Sequence, residues 1–143
     1  MKLHEIMSGP VVGIHPEETV SVAARMLEHN NIGALPVCST DGRLCGILTD
    51  RDIVTRCLAA GKQPQTTSVR EVMTAKIYVG RPDMEVSMAA GLMGKEQIRR
   101  LPVMENGKLC GMVSLGDVAR KEENSIVAGD ALTEISSQLS SRE

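Results

Sequence analysis

The stretch Gly46-Ile47-Leu48-Thr49-Asp50-Arg51-Asp52 decides how this chain folds, because the chain contains it twice. The second copy is Gly111-Met112-Val113-Ser114-Leu115-Gly116-Asp117. Each copy reads glycine, two apolar residues, a hydroxyl residue, two variable positions and an aspartate. The apolar pair predicts the end of a buried strand, and the hydroxyl with the carboxylate three residues later fits a helix capping box. One copy alone would favour capping over ligand binding.

Both motifs close a longer unit that is itself repeated. Apolar residues spaced as on one face of a helix, Val20, Ala23, Ala24 and Leu27, return as Val86, Ala89, Ala90 and Met93. Asp-Gly and Asn-Gly predict a hairpin turn in each unit. Further matching segments are residues 5–7 with 71–73 and 32–37 with 98–103. Residues 11–14 match 77–80, and these apolar segments predict the short first strand of each repeat.

This duplication predicts an α+β fold made of two β-α-β-β-α repeats. The expected boundaries are 1–61 for the first repeat, 62–68 for a linker, 69–123 for the second repeat and 124–143 for a tail. Because each half is too small to bury its apolar faces alone, we expect the halves to pack about a pseudo-twofold axis. In the tail, a helical stripe predicts packing on the chain's own surface or on a twin subunit: Ala131, Leu132, Ile135 and Leu139.

Composition narrows the class of protein. The chain has 143 residues, of which 42% are hydrophobic, and it lacks Phe and Trp, with Tyr78 as its one aromatic residue. A net charge of −2 with interleaved signs argues against a nucleic-acid or membrane surface. We expect neither a membrane helix nor a secretory signal, and therefore a cytoplasmic protein.

The four cysteines predict structural thiols of a reducing compartment. Cys38, Cys45, Cys57 and Cys110 form no C-x-x-C pair, and no histidine lies at metal-ligand spacing from them. Cys38 and Cys45 flank one turn, so a metal or redox role through this pair stays open.

The duplicated motifs, each preceded by a Leu-Pro-Val strand, resemble two CBS domains in tandem, the pair often called a Bateman module. The resemblance covers nearly all of the chain. The chain as a whole is similar to small stand-alone bacterial CBS-pair proteins. It implies a cleft between the repeats that takes an adenosine ligand such as AMP, ADP or ATP, with S-adenosylmethionine as a related candidate. It also implies a homodimer.

For the first site, the resemblance implies that Thr49 and Asp52 bind ribose and that Ile47 forms an apolar wall. The second repeat would supply Ile77, Tyr78 and Pro102 around adenine, and Arg99 and Arg100 toward phosphate. Since neighbours on a strand point to opposite faces, we expect one arginine to face the site and favour Arg100. Arg99 fits a solvated charge equally well.

For the second site, the resemblance implies Ser114 and Asp117 on ribose and Met112 as a wall. The first repeat would add Val11, Val12 and Pro36. Here the chain departs from the family pattern, because Gly33 and Ala34 replace the basic pair. Arg51 is the candidate substitute, and we expect the first site to bind a phosphorylated nucleotide better.

These residues predict a sensor that is not an enzyme. The sequence shows no nucleophile–base spacing and no phosphate-binding loop, and catalysis of phosphoryl transfer needs a positioned base and usually a metal. The nucleotide would be a regulatory ligand, no cofactor would be required, and the output would pass to the homodimer or to a separate protein. Two alternatives remain: a ligand-free scaffold, and a metal- or redox-responsive protein working through Cys38 and Cys45.

Overall fold

A computed structural model describes residues 1–9, 11–120 and 125–140 of the chain. The chain divides into two compact units. The first unit is Val12–Ile77, and the second unit combines Met1–Val11 with Tyr78–Glu143. Within the described residues, no helix is both long and apolar enough to cross a membrane.

The first unit is a two-stranded antiparallel sheet with helices before and after it. Thr19 begins the first helix, since its hydroxyl accepts the Val22 N–H at 3.2 Å. In chain order the elements are α1 (Val20–Asn30), β1 (Ala34–Cys38), β2 (Leu44–Thr49), α2 (Asp50–Asp52), a π-helix (Ile53–Leu58) and α3 (Val69–Val72). The hairpin register pairs Ala34 with Thr49 and Pro36 with Ile47.

The second unit repeats this order and adds a helix. Its elements are a 3₁₀ turn (Leu3–Glu5), α4 (Val86–Glu96), β3 (Arg100–Glu105), β4 (Lys108–Ser114), α5 (Leu115–Ala119) and α6 (Ser125–Ser140). Asn106 and Gly107 both have positive φ, 52° and 76°, as the predicted Asn-Gly hairpin turn requires. The two repeats and their mixed helix–strand character are therefore confirmed.

The first predicted strand of each repeat differs from expectation. Residues 11–14 and 77–80 form no strand of their own. Ile14 makes a single parallel bridge to Val37, and Gly80 makes the matching bridge to Val103. Each apolar segment thus pairs with the neighbouring strand, β1 or β3, through one residue only. The pairing does not continue to the next residue, so no strand forms.

Each of the two hydrophobic cores contains residues from both sequence repeats. Val69 and Val72, which open the second repeat, are fully buried among first-repeat residues such as Leu35 and Leu48. Leu3, which opens the first repeat, is fully buried among second-repeat residues such as Val86. The compact units therefore cut across the boundaries expected from sequence, because the opening segment of each repeat fills the core of the unit built by the other repeat.

The last helix, α6, covers one face of the second unit. Ala128, Ala131 and Ile135 are buried against α4 and α5, so the predicted packing on the chain's own surface is confirmed. The predicted stripe was wrong at Leu132, which is 45% exposed, and the Leu139 side chain lies outside the described residues. Ala128 is buried instead, and Ala131 lies beside Gly94 of α4.

Candidate functional site

The first motif ends strand β2 and begins α2 with a complete capping box. The Thr49 hydroxyl accepts the Asp52 N–H at 3.1 Å, and the Asp52 Oδ2 accepts the Thr49 N–H at 3.0 Å. Two backbone N–H groups at the helix start are satisfied in this way. The structural role predicted for Thr49 and Asp52 is thus confirmed, and it uses one of the two carboxylate oxygens.

The second oxygen of Asp52 is only loosely held. The Asp52 residue is 7% exposed, and the nearest donors to its Oδ1 among the described residues are the Thr74 hydroxyl at 3.4 Å and the Arg56 Nε at 3.8 Å. Charge-assisted hydrogen bonds to carboxylates are usually about 2.7–2.9 Å long. Asp52 therefore keeps capacity to accept further hydrogen bonds.

The second motif repeats the cap but not the surroundings of its aspartate. The Ser114 hydroxyl accepts the Asp117 N–H at 3.0 Å, and Asp117 Oδ2 accepts the Ser114 N–H at 2.8 Å. Here the other oxygen, Oδ1, accepts a hydrogen bond from Arg120 Nη1 at 2.8 Å. Both carboxylate oxygens of Asp117 are engaged at full hydrogen-bond strength, unlike those of Asp52.

A crossing segment explains the glycine that opens each motif. Ile47 and Thr74 exchange two backbone hydrogen bonds of 2.9 and 2.8 Å, and Met112 and Ser8 exchange bonds of 3.1 and 2.9 Å. A Cβ on Gly46 would lie 2.7 Å from the Thr74 carbonyl oxygen. Sequence reasoning missed Thr74, although it stands where Ser8 stands in the first repeat.

The predicted apolar walls lie on the strands next to the motifs. Ile47 is half-buried and sits directly across β1–β2 from buried Pro36. Met112 is half-buried and sits directly across β3–β4 from buried Pro102. The strand register thus places each wall residue beside the proline of its own repeat. The assignment of Pro102 to the first site and of Pro36 to the second stays a prediction.

The predicted phosphate contacts are exposed arginines. Arg100 opens β3 and is paired with Ser114, so in its own unit it lies beside the second motif. Arg99 uses its carbonyl to accept the Leu115 N–H at 2.9 Å. Arg51 is exposed in the first turn of α2. The assignment of Arg99 and Arg100 to the first motif, and of Arg51 to the second, stays a prediction.

The remaining predicted residues lie outside helices and strands. Ile77 is half-buried in the first unit, and Val12 in the same unit is 47% exposed. Val11 is half-buried in the second unit, where Tyr78 packs against the core around Leu3. Their roles as ligand contacts stay predictions.

The four cysteines differ in burial. All four are free, and Cys57 is fully buried. Burial, and to a smaller extent nearby Cys45, raises the pKa of Cys38; burial and then Glu105 raise the pKa of Cys110. A raised pKa lowers the fraction of reactive thiolate. Within residues 1–9, 11–120 and 125–140, no three His, Cys, Asp or Glu side chains are grouped to hold a metal ion.

Comparison with known proteins identifies this arrangement. The family model described as the CBS domain matches the chain twice, over residues 3–59 and 69–124. This chain belongs to the CBS domain family. The CBS domain-containing protein YhcV of Bacillus subtilis (strain 168) is 42% identical over 134 residues, which are 94% of each chain.

Two solved structures share the CBS-pair fold. Hypoxic Response Protein I with two coordinated zinc ions is 36% identical, with a TM-score of 0.78 over 85% of this chain and 98% of that one. The CBS domain pair of protein MJ0100 in complex with 5′-methylthioadenosine and S-adenosyl-L-methionine is 28% identical. Its TM-score is 0.79 over 87% of this chain and 98% of that one.

Proposed function

We propose that this CBS pair is a regulatory module that binds an adenosine nucleotide through its two capping motifs. Thr49 with Asp52, and Ser114 with Asp117, would hold the ribose hydroxyls. The observation that carries the proposal is Asp52, whose side chain is 10% exposed and whose Oδ1 is approached by the Thr74 hydroxyl at 3.4 Å and by Arg56 Nε at 3.8 Å. AMP, ADP and ATP are the proposed ligands.

The chemistry of the motif suits a sugar diol. A carboxylate accepts charge-assisted hydrogen bonds from two hydroxyls, and the threonine hydroxyl both accepts and donates. Thr49 already accepts the Asp52 N–H, which leaves its own O–H proton to donate. The capping box also fixes both side chains in place, so little conformational entropy is lost when a ligand is bound.

The ligand-bound relative supports an adenosine compound. The MJ0100 CBS pair was crystallised with 5′-methylthioadenosine and S-adenosyl-L-methionine, and both molecules contain an adenosine group. An adenosine group is what a ribose-binding carboxylate with aliphatic neighbours would recognise. Such neighbours are present beside the motifs in this chain, in Ile47 and Met112.

The proposed output is a change in packing or in partner binding. A ligand shifts such an equilibrium only through unequal affinity for the two states. We propose that the protein works as a homodimer, that it signals to a protein partner, and that it has no catalytic activity of its own.

The test is a thermal-shift panel followed by calorimetric titration of the full chain. A ligand at a hundred times its Kd should stabilise the protein by about 2.7 kcal/mol. Asp52→Asn preserves the shape and the cap acceptor but removes the charge, and we expect it to weaken AMP binding about tenfold or more. Asp50→Asn is the matched control, because Asp50 is exposed two residues away and should leave AMP binding unchanged.

A flat response to adenosine, AMP, ADP, ATP and S-adenosylmethionine would contradict the proposal and favour the ligand-free scaffold. The ranking of the two motifs is tested in the same titration. If Asp117→Asn reduced AMP affinity more than Asp52→Asn, the expectation that the first motif is the better nucleotide site would be wrong.

A further inference from the structure

The two motifs differ at the position three residues after the aspartate. In the second motif this residue is Arg120, whose Nη1 donates to Asp117 Oδ1 at 2.8 Å. In the first motif it is Thr55, whose hydroxyl donates to the Arg51 carbonyl at 2.9 Å, within its own helix. Asp52 has a looser ion-pair partner, Arg56, whose Nε lies 3.8 Å from Oδ1.

Gly116 lies next to the Arg120 guanidinium. A Cβ at position 116 would lie 3.5 Å from Ser114 Oγ and 3.9 Å from Arg120 Nη2. The guanidinium therefore lies beside the first turn of α5, with its Nη1 on the carboxylate of the second motif. The first repeat has Arg51 at the position of Gly116.

We propose that Arg120 is an intramolecular competitor for the second motif. It occupies the Asp117 oxygen that a ribose diol would use, so a ligand binds Asp117 only when Arg120 is displaced. In the first motif Arg56 and Thr74 approach Asp52 only to 3.8 and 3.4 Å, so the competition is weaker there and the first motif binds first. This inference rests on the proposed function, because it concerns the same sugar-binding carboxylates.

The strength of this competition follows from the exposure of Arg120. Its side chain is 76% exposed, whereas the Asp117 side chain is 11% exposed. Exposed ion pairs typically contribute about 0.2–1 kcal/mol, which corresponds to a change in affinity of up to about fivefold. Arg120 therefore lowers the ligand affinity of the second motif without abolishing binding.

Adenosine is the probe that tests this idea, because it carries the diol without a phosphate charge. Calorimetry is done on the full chain in the Asp52→Asn background, which leaves the second motif as the proposed site. Arg120→Ala should tighten adenosine binding about twofold to fivefold. Arg70→Ala is the control, since Arg70 is also an exposed ion-paired arginine, 2.7 Å from Glu17, and should leave adenosine binding unchanged.

A reciprocal variant checks the same mechanism in the first repeat. Thr55→Arg in the Asp117→Asn background installs an arginine at the equivalent exposed position. We expect it to weaken adenosine binding by a similar factor. Arg120→Met, which retains most of the aliphatic side chain, serves if Arg120→Ala loses secondary structure by circular dichroism.

Each outcome has a distinct meaning. Unchanged adenosine affinity together with weaker AMP affinity would overturn the inference and make Arg120 a phosphate contact. Unchanged affinity for both ligands would overturn it as well. If the wild-type chain bound neither adenosine nor AMP, the proposed function itself would fail, and the inference with it.

Discussion

At Gly46 a neighbouring segment of backbone passes so close that no side chain fits. A Cβ there would lie 2.7 Å from the Thr74 carbonyl oxygen and 2.8 Å from the Met73 sulfur. At Gly111 the nearest atom to such a Cβ is the Met7 sulfur at 2.7 Å, and the Ser8 carbonyl oxygen is farther away at 3.1 Å. A methionine side chain can move aside, whereas a hydrogen-bonded backbone carbonyl cannot.

Gly46→Ala should therefore destabilise the protein more than Gly111→Ala. We expect a loss of about 1–3 kcal/mol for Gly46→Ala, as for other cases of overpacking, and a smaller loss for Gly111→Ala. Urea unfolding followed by circular dichroism measures both free energies. Equal losses at the two glycines would show that the crossing backbone at Thr74 yields as readily as a methionine side chain.

Individual residues also explain why two motifs of the same pattern are unequal. Their capping hydrogen bonds match within a few tenths of an ångström, but the third partner of each aspartate differs. Thr74 and Arg56 approach Asp52 loosely, at 3.4 and 3.8 Å, while Arg120 binds Asp117 at 2.8 Å. Single substitutions outside the motif thus set how available each carboxylate is.

Among the elements, α4 and α1 show how one added helix breaks the symmetry of the repeats. Ala90 and Gly94 of α4 are buried under α6, whereas the equivalent Ala24 and Glu28 of α1 are exposed. A Cβ on Gly94 would lie 3.2 Å from the Ala131 Cα and 2.8 Å from Glu134 Oε2. Glycine at this position therefore lets the two helix backbones approach closely, and glutamate in α1 does not.

Gly94→Ala should loosen the packing of α6, and Gly91→Ala is its matched control on the same helix. A Cβ on Gly91 meets nothing within 4 Å, so that substitution should stabilise the protein by about 0.5–1 kcal/mol through helix propensity. In Gly94→Ala the same gain in helix propensity should be cancelled, because the new Cβ would lie only 3.2 Å from the Ala131 Cα. Hydrogen exchange of the backbone amides of residues 128–135 measures the effect.

We expect faster exchange of those amides in Gly94→Ala than in Gly91→Ala. Equal protection in the two variants would mean that α6 shifts by a few tenths of an ångström without loss of packing. In that case the close approach at Gly94 would not determine which face of α6 packs on α4.

For the whole molecule, the order of segments along the chain is not the order in which they pack. The core of the first unit includes Val69 and Val72, and the core of the second unit includes Leu3. Each of these side chains is fully buried. A cut at the sequence repeat boundary therefore removes core residues from both units.

A fragment of residues 12–77 should fold, and a fragment of residues 1–61 should not. Full burial of a valine contributes about 1.5–3 kcal/mol, so the loss of Val69 and Val72 removes much of the typical 5–15 kcal/mol of a small domain. Circular dichroism with urea should show a cooperative transition for 12–77 alone. An equally cooperative transition for 1–61 would contradict the interleaved cores.

By itself, the sequence determined the features that depend on residues close together in the chain. The two hairpins, the helices α1 and α4, and both capping boxes were predictable, because each depends on a spacing of a few residues: a cap needs only a hydroxyl and a carboxylate three positions apart. The duplication also predicted the family. The predicted first strands were reduced to single bridges because strand pairing depends on a distant partner.

Only the tertiary structure decided which distant segments meet those local features. It brought Thr74 to Asp52, Val69 and Val72 into the first core, and α6 onto Gly94. The physical reason is that close approach and burial are set by the shapes of surfaces far apart in sequence, and no local spacing specifies those shapes.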